Sequence, residues 1–107
     1  MYTPKLLVDF DGVIHFYRKG WHDGTAYDIP IPGAKHALET LTSRGYEVVI
    51  FSTRDAQQIK EWLILNRFPP YRITNIKEPA LAIIDDRAIH FKTWFETMEI
   101  ITKSFDI

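Results

Sequence analysis

The sequence predicts an α/β protein: a three-layer fold with a mainly parallel sheet and helices on both faces. Three observations predict it. Short apolar runs (Leu6-Leu7-Val8, Val48-Val49-Ile50 and Ala80 to Ile84) lack polar alternation, as strands buried on both faces do. Segments with helical apolar spacing separate the runs, and such alternation argues for parallel pairing. Each run also ends in polar residues, and the carboxyl ends of parallel strands share one edge, where open sheets bind ligands. These are the marks of a Rossmann-like arrangement within a single domain, residues 1–107.

The first stretch, Lys5 to Val13, starts as a buried strand and ends in Asp9 and Asp11, two apart and able to converge on one point. Gly12 follows, where the backbone can approach a ligand closely or take an unusual dihedral. Asp-x-Asp-Gly also occurs in calcium loops, but the further acids and terminal Glu of such a loop are missing. Residues 14–32 have little periodicity and hold Gly20, Gly24, Pro30 and Pro32 among Phe16, Tyr17, Trp21 and Tyr27. A long loop of this kind is expected to be a flap over the acidic pair, or else a small hairpin whose aromatics tuck into the core.

After Pro32-Gly33, Ala34, Ala37, Leu38 and Leu41 repeat as one face of a helix that stops at Arg44-Gly45. Glu47 to Phe51 is the second strand, ending at Ser52-Thr53-Arg54-Asp55. A second helix carries Ile59, Trp62, Leu63 and Leu65 and ends near Asn66. Tyr71 to Ile76 is a weak strand, and Lys77-Glu78-Pro79 is a loop. Ala80 to Ile84 is a strong strand ending at Asp85-Asp86-Arg87. Ile89 to Phe91 is a short edge strand. A last helix from about Thr93 is expected to turn Trp94, Phe95, Met98, Ile101 and Phe105 inward.

Composition narrows the function. Thirteen basic and 14 acidic residues leave a net charge of −1, so no bulk field selects nucleic acid or an anionic membrane. The absence of cysteine rules out disulfides and thiolate zinc sites. The start shows no signal-peptide pattern and no apolar run approaches membrane-spanning length, so a soluble cytoplasmic protein without membrane contact is expected. With 3 Trp, 5 Tyr and 7 Phe, some aromatics must lie near the surface, as in a lid or subunit contact, and either monomer or homodimer is compatible.

Asp9/Asp11, Ser52/Thr53/Arg54, Lys77 and Asp85/Asp86 all fall at strand ends or in adjoining loops, and a parallel sheet brings them to one edge. Read singly, Ser52 is a helix N-cap, Arg54 a solvated charge and Lys77 a surface residue. Jointly they suit phosphoryl transfer. Crowded carboxylates need a cation, and oxygen ligands without Cys suit Mg²⁺. One Asp can be a nucleophile and a neighbour an acid/base, while a hydroxyl and a Lys stabilise the transferring group. None of the four histidines has metal-binding spacing; His15 and His22 are candidates to touch substrate, and His36 is expected in solvent.

Taken together, Asp9-Phe10-Asp11-Gly12-Val13, Ser52 after Val48 to Phe51, Lys77, and Ile83-Ile84-Asp85-Asp86 resemble the haloacid dehalogenase-like superfamily of phosphohydrolases, in its small capless branch of phage and bacterial type. The resemblance spans residues 5–91. It implies Asp9 as nucleophile and Mg²⁺ ligand, and Asp11 as acid/base that binds Mg²⁺ through its backbone carbonyl. Ser52 and Lys77 would hold the phosphoryl group. Asp86 would be the third acidic ligand with Asp85 beside it, and Arg54 would reach substrate, with Gly12 and Thr53 lining the same site. Val13 stands where many members have Thr, and no cap domain is inserted. Ser52 to Arg54 and Asp85 to Arg87 also resemble the phosphatase half of phage polynucleotide kinase-phosphatases.

The resulting expectation is a Mg²⁺-dependent phosphomonoesterase acting on a phosphorylated substrate, small molecule first and nucleic-acid end second. Three alternatives stand beside it: a nucleic-acid 3′-phosphatase, a phospho-switch domain, and a phosphate-binding scaffold. A receiver-type switch puts its acidic pair on the first strand but its phosphorylated Asp on the third, where this chain has none.

Overall fold

The computed structural model describes residues 3–21, 23–85, 89–90 and 93–105. Asp86, Arg87, His22, Phe91 and Lys92 lie outside the described residues. In chain order the elements are β1 (Lys5–Asp9), α1 (Ala34–Ser43), β2 (Glu47–Phe51), α2 (Ala56–Leu65), β3 (Arg72–Thr74), β4 (Ala82–Asp85), β5 (Ile89–His90) and α3 (Trp94–Phe105). The strands form one sheet in the order β3-β2-β1-β4-β5, and every pairing is parallel. The α/β, Rossmann-like class read from the sequence is the class observed. A sheet of this order reverses direction beside β1, which makes the carboxyl ends of β1 and β4 the switch point where ligands bind.

Leu6, Leu7 and Val8 are fully buried, so β1 is the middle of the core on both faces. Side chains two apart share a face. Leu6 and Val8 therefore point with Val48 and Ile50 of β2 and Ile84 of β4, and the buried faces of all three helices join that one cluster. Leu7 and Val49 lie on the other face, also fully buried. There the cover differs. Lys5, Glu47 and Arg72 stand on that face by register, and Glu78 of the β3–β4 connection bonds both Lys5 (2.7 Å) and Arg72 (2.7 and 2.8 Å). Residues 75–81 therefore cross this face as a loop. Both faces are covered, but helices cover only one; where the sequence reading put helices on the other, the ion-paired crossover lies instead.

The helices end where the sequence says they should. In α1 the amide of Gly45, at φ +97°, donates to Thr42 O and that of Tyr46 to Leu41 O, a pattern that needs a left-handed residue at Gly45. In α2 the cap is Asp55, whose carboxylate accepts from the Gln57 amide at 3.3 Å, so Ser52 is not the N-cap. Three side chains depart from expectation. Phe95 is 75% exposed, because Trp94, Thr97 and Ile101 define the inward stripe of α3 and Phe95 lies about 100° off it. Leu65 is 79% exposed for the same reason, beyond the stripe set by Ile59, Trp62 and Leu63. Leu81 lies before β4, which begins at Ala82, and donates its amide to Lys5 O. Among the described residues no helix is long and apolar enough to cross a membrane.

Candidate active site at the carboxyl edge of the sheet

Three strand ends meet at the switch point. The register pairs Leu7 with Ile83, so Asp9 and Asp85, each two residues further on, leave adjacent strands on the same face. Asp9 is half-buried and its Oδ1 accepts from the Phe10 amide at 2.9 Å; Asp85 is buried. Asp9 is also the register partner of Phe51, and the Lys77 ammonium lies 5.7 Å from the Phe51 ring centroid. The exposed Lys77 is thereby held on the face that carries Asp9 and Asp85.

Past Asp9 the chain makes a tight turn. The Phe10 carbonyl accepts from the amides of Val13, Ile14 and His15, and Gly12 at φ +80° donates to His15 O at 2.8 Å. A Cβ at Gly12 would meet nothing within 4 Å, so the position calls for glycine through its backbone angle alone. The turn hangs the Asp11 carboxylate between two donors. Arg54 reaches both of its oxygens, from Nη2 at 3.0 and 3.1 Å and from Nε at 3.3 Å, and His15 Nδ1 lies 2.8 Å from Oδ1.

Arg54 is not the solvated charge that its position suggests. Its side chain is 2% exposed, its Nη1 donates to Gly24 O at 2.6 Å, and the rings of Tyr17 and Trp21 lie 5.6 and 5.0 Å from its guanidinium carbon. The buried Ser52 hydroxyl accepts the Arg54 amide at 3.0 Å, which ties the β2 end to Asp11. Thr53 is exposed beside a cleft of about 420 Å³ that runs on to Thr74 and Asn75.

The expected flap has two parts. Ile14 and His15 are fully buried and belong to the core, and Ile31 donates back to Ile14 O while Phe16 donates to Ile29 O. They form the base of a small hairpin, with bridges from His15 to Asp11 and to Pro30. Beyond that base the hairpin carries Trp21, 65% exposed, over Arg54. Full burial removes His15 from contact with substrate, the role its loop position suggested. The signal for what it does instead is its spacing, four residues after Asp11, in a stretch dense with aromatics.

The structure thus joins Asp11, Arg54 and Ser52 by hydrogen bonds, and places Asp9, Asp85 and Lys77 on one face. Asp86 lies outside the described residues. Among the described residues no group of three or more His, Cys, Asp or Glu side chains gathers round one point. A Mg²⁺ ion needs no such cage: one or two carboxylates suffice when waters and phosphate oxygens complete the shell. Asp9 and Asp85, adjacent and oxygen-only, fit that requirement.

A solved structure described as the conserved protein coded by locus from Bacteroides thetaiotaomicron is similar over 96% of this chain and 93% of its own, with a TM-score of 0.70 and 22% sequence identity. Likeness at that identity speaks for the fold. No family model and no curated protein matches the chain.

Proposed function

We propose that the protein is a Mg²⁺-dependent phosphohydrolase of the haloacid dehalogenase-like type, acting on phosphate monoesters. The observation that carries this reading is that Asp9 and Asp85 leave adjacent strands on one face at the switch point, with Lys77 over Phe51 on that face and Asp11 two residues beyond Asp9. Asp9 and Asp85 are both oxygen donors of the kind Mg²⁺ takes, and one or two carboxylates suffice for it when waters and phosphate oxygens complete the shell. A bound Mg²⁺ would be held by Asp9, the Asp11 backbone carbonyl and Asp86, with Asp85 beside it or acting through water, and would neutralise charge on the phosphoryl oxygens.

In this reading an Asp9 oxygen bonds to phosphorus as the ester P–O bond breaks, and Asp11 gives its proton to the departing oxygen. Water then attacks phosphorus and gives a proton to Asp11. The bond between Asp9 and phosphorus breaks, releasing phosphate and restoring both carboxyl groups. Lys77 and the Ser52 hydroxyl stabilise the transferring group's oxygens and Thr53 borders the leaving-group side, whereas Arg54, buried against Asp11, holds the acid/base instead of reaching substrate as expected.

The test is hydrolysis of a broad phosphate-ester panel with Mg²⁺ and with EDTA. Turnover is expected only with Mg²⁺. Asp9→Asn should lower it by about 10³-fold or more while the circular dichroism spectrum and Tm stay near wild type, since the change removes the nucleophile but little volume. Wild-type turnover in that variant would sink the assignment.

A further inference from the structure

We propose that His15 is a positioning residue for Asp11: a neutral imidazole whose Nδ1–H is committed to the Asp11 carboxylate and which never meets substrate. The proposal rests on the reading of Asp11 as the acid/base group, and the geometry specifies the rest.

The tautomer follows from the partners. His15 Nε2 lies 2.9 Å from the Asp28 amide nitrogen, and a backbone N–H can only donate. Nε2 therefore carries its lone pair. The proton sits on Nδ1, which is 2.8 Å from Asp11 Oδ1, so the ring donates there. Asp28 is itself fixed. The Trp62 indole donates to its carbonyl at 2.7 Å, and Arg18 holds its carboxylate at 2.7 and 3.1 Å. The imidazole is clamped as well: it stacks on Phe10 with centroids 5.2 Å apart and meets Tyr27 and Trp62 edge-on at 5.3 and 5.7 Å. It is 0% exposed.

Such a ring has one task left. Arg54 grips both Asp11 oxygens from the turn that follows β2. A second donor, arriving from the hairpin base, fixes the carboxylate's direction. An acid/base group must lie within hydrogen-bond reach of the oxygen it serves, so a small error in that direction costs rate rather than substrate affinity. The wall of three aromatics and the Trp62–Asp28 bond then serve catalysis by keeping His15 in place, as outer partners do for ligating histidines.

Two measurements test this on the full chain. Two-bond ¹H–¹⁵N NMR should show His15 protonated on Nδ1 and bare on Nε2, and Asp11→Ala should move the Nδ1 proton resonance upfield. A proton on Nε2, or an unmoved resonance, would overturn the proposal whether or not the protein hydrolyses anything. The second is kinetic, on an ester that the wild type hydrolyses. His15→Phe keeps the ring and loses the donor; kcat per folded molecule should fall about 10- to 100-fold with KM within about twofold. His15→Asn puts an amide N–H near the Nδ1 position and should recover several-fold of that loss, although it packs worse. A merely structural role would leave kcat per folded molecule at the wild-type value in both variants, and that result refutes the proposal. If the wild type hydrolyses no ester, the phosphatase reading fails by itself and the NMR result alone decides the role of His15. The same NMR result decides if either variant fails to fold.

Discussion

A guanidinium with 2% exposure has to be matched on every side, and Arg54 is: carboxylate, carbonyl and two aromatic faces. Such a residue is hard to read from its neighbours in sequence. Its partners, Asp11 and Gly24, are 43 and 30 positions away, and local chemistry alone makes it a surface charge. The same holds for Ser52, which looks like a cap because the true cap, Asp55, is three residues on. Asp9 and Asp85 were legible because a strand end is a local pattern. The contrast also applies where the structure leaves a group unmatched. Tyr46 is 2% exposed, and its hydroxyl has no hydrogen-bond partner among the described residues. Burial also pushes its pKa above the ordinary tyrosine value. Removing such a hydroxyl relieves a desolvation cost, so Tyr46→Phe should stabilise the protein by roughly 0.5–1 kcal/mol. Urea unfolding near neutral pH is the check; a loss of stability would mean that the hydroxyl is satisfied in solution.

At the scale of elements, helix stops and strand cores were legible because each has a local cause: a glycine in the left-handed region, a run of apolar residues buried on both faces. The two connections were legible only in outline, as a flap or small hairpin and as a loop, without the contacts that hold them. The hairpin of residues 14–31 depends on His15 reaching Asp28 and Asp11, and the 75–81 crossover depends on Glu78 reaching Lys5 and Arg72 from β1 and β3. The crossover has a pH consequence. Hydrogen bonds from Arg72 and then Lys5 hold the Glu78 carboxyl down at about 2, against an ordinary 4.5. A carboxyl depressed by folding lends stability above its unfolded pKa and loses it as pH falls toward the folded one. Glu78 should therefore contribute fully above about pH 5 and progressively less between about 4.5 and 2. Since the pair is partly exposed, the effect should shrink in high salt. Urea midpoints measured from pH 6 to 2 should fall less steeply for Glu78→Gln than for wild type; parallel curves would show that the crossover pairs do not matter to stability.

For the whole molecule, the strand order decides what the site can accept. It brings β1, β2 and β4 to one edge, and between β1 and α1 the chain inserts only a small hairpin. If the protein is the phosphohydrolase proposed above, an edge left this open would admit a large phosphate ester as readily as a small one, so a nucleic-acid 3′-end is a rival to a small metabolite. Electrostatics separates the two. Binding along a phosphate backbone needs uncommitted cations. The net charge is −1, and among the described residues the arginines nearest the edge are spent: Arg54 on Asp11, and Arg18 on Asp28, whose carboxyl that hydrogen bond holds well below the usual carboxylate range. Arg72 is likewise held by Glu78. The protein should therefore gain little from nucleotides beyond the one that carries the phosphate. The comparison is kcat/KM for a 3′-phosphorylated oligonucleotide against a mononucleotide 3′-phosphate at low salt. A ratio within about threefold of one, unchanged as salt rises, is expected. A ratio above about ten that collapses with salt would instead mean that the edge follows a backbone, and would make the nucleic-acid end the substrate class.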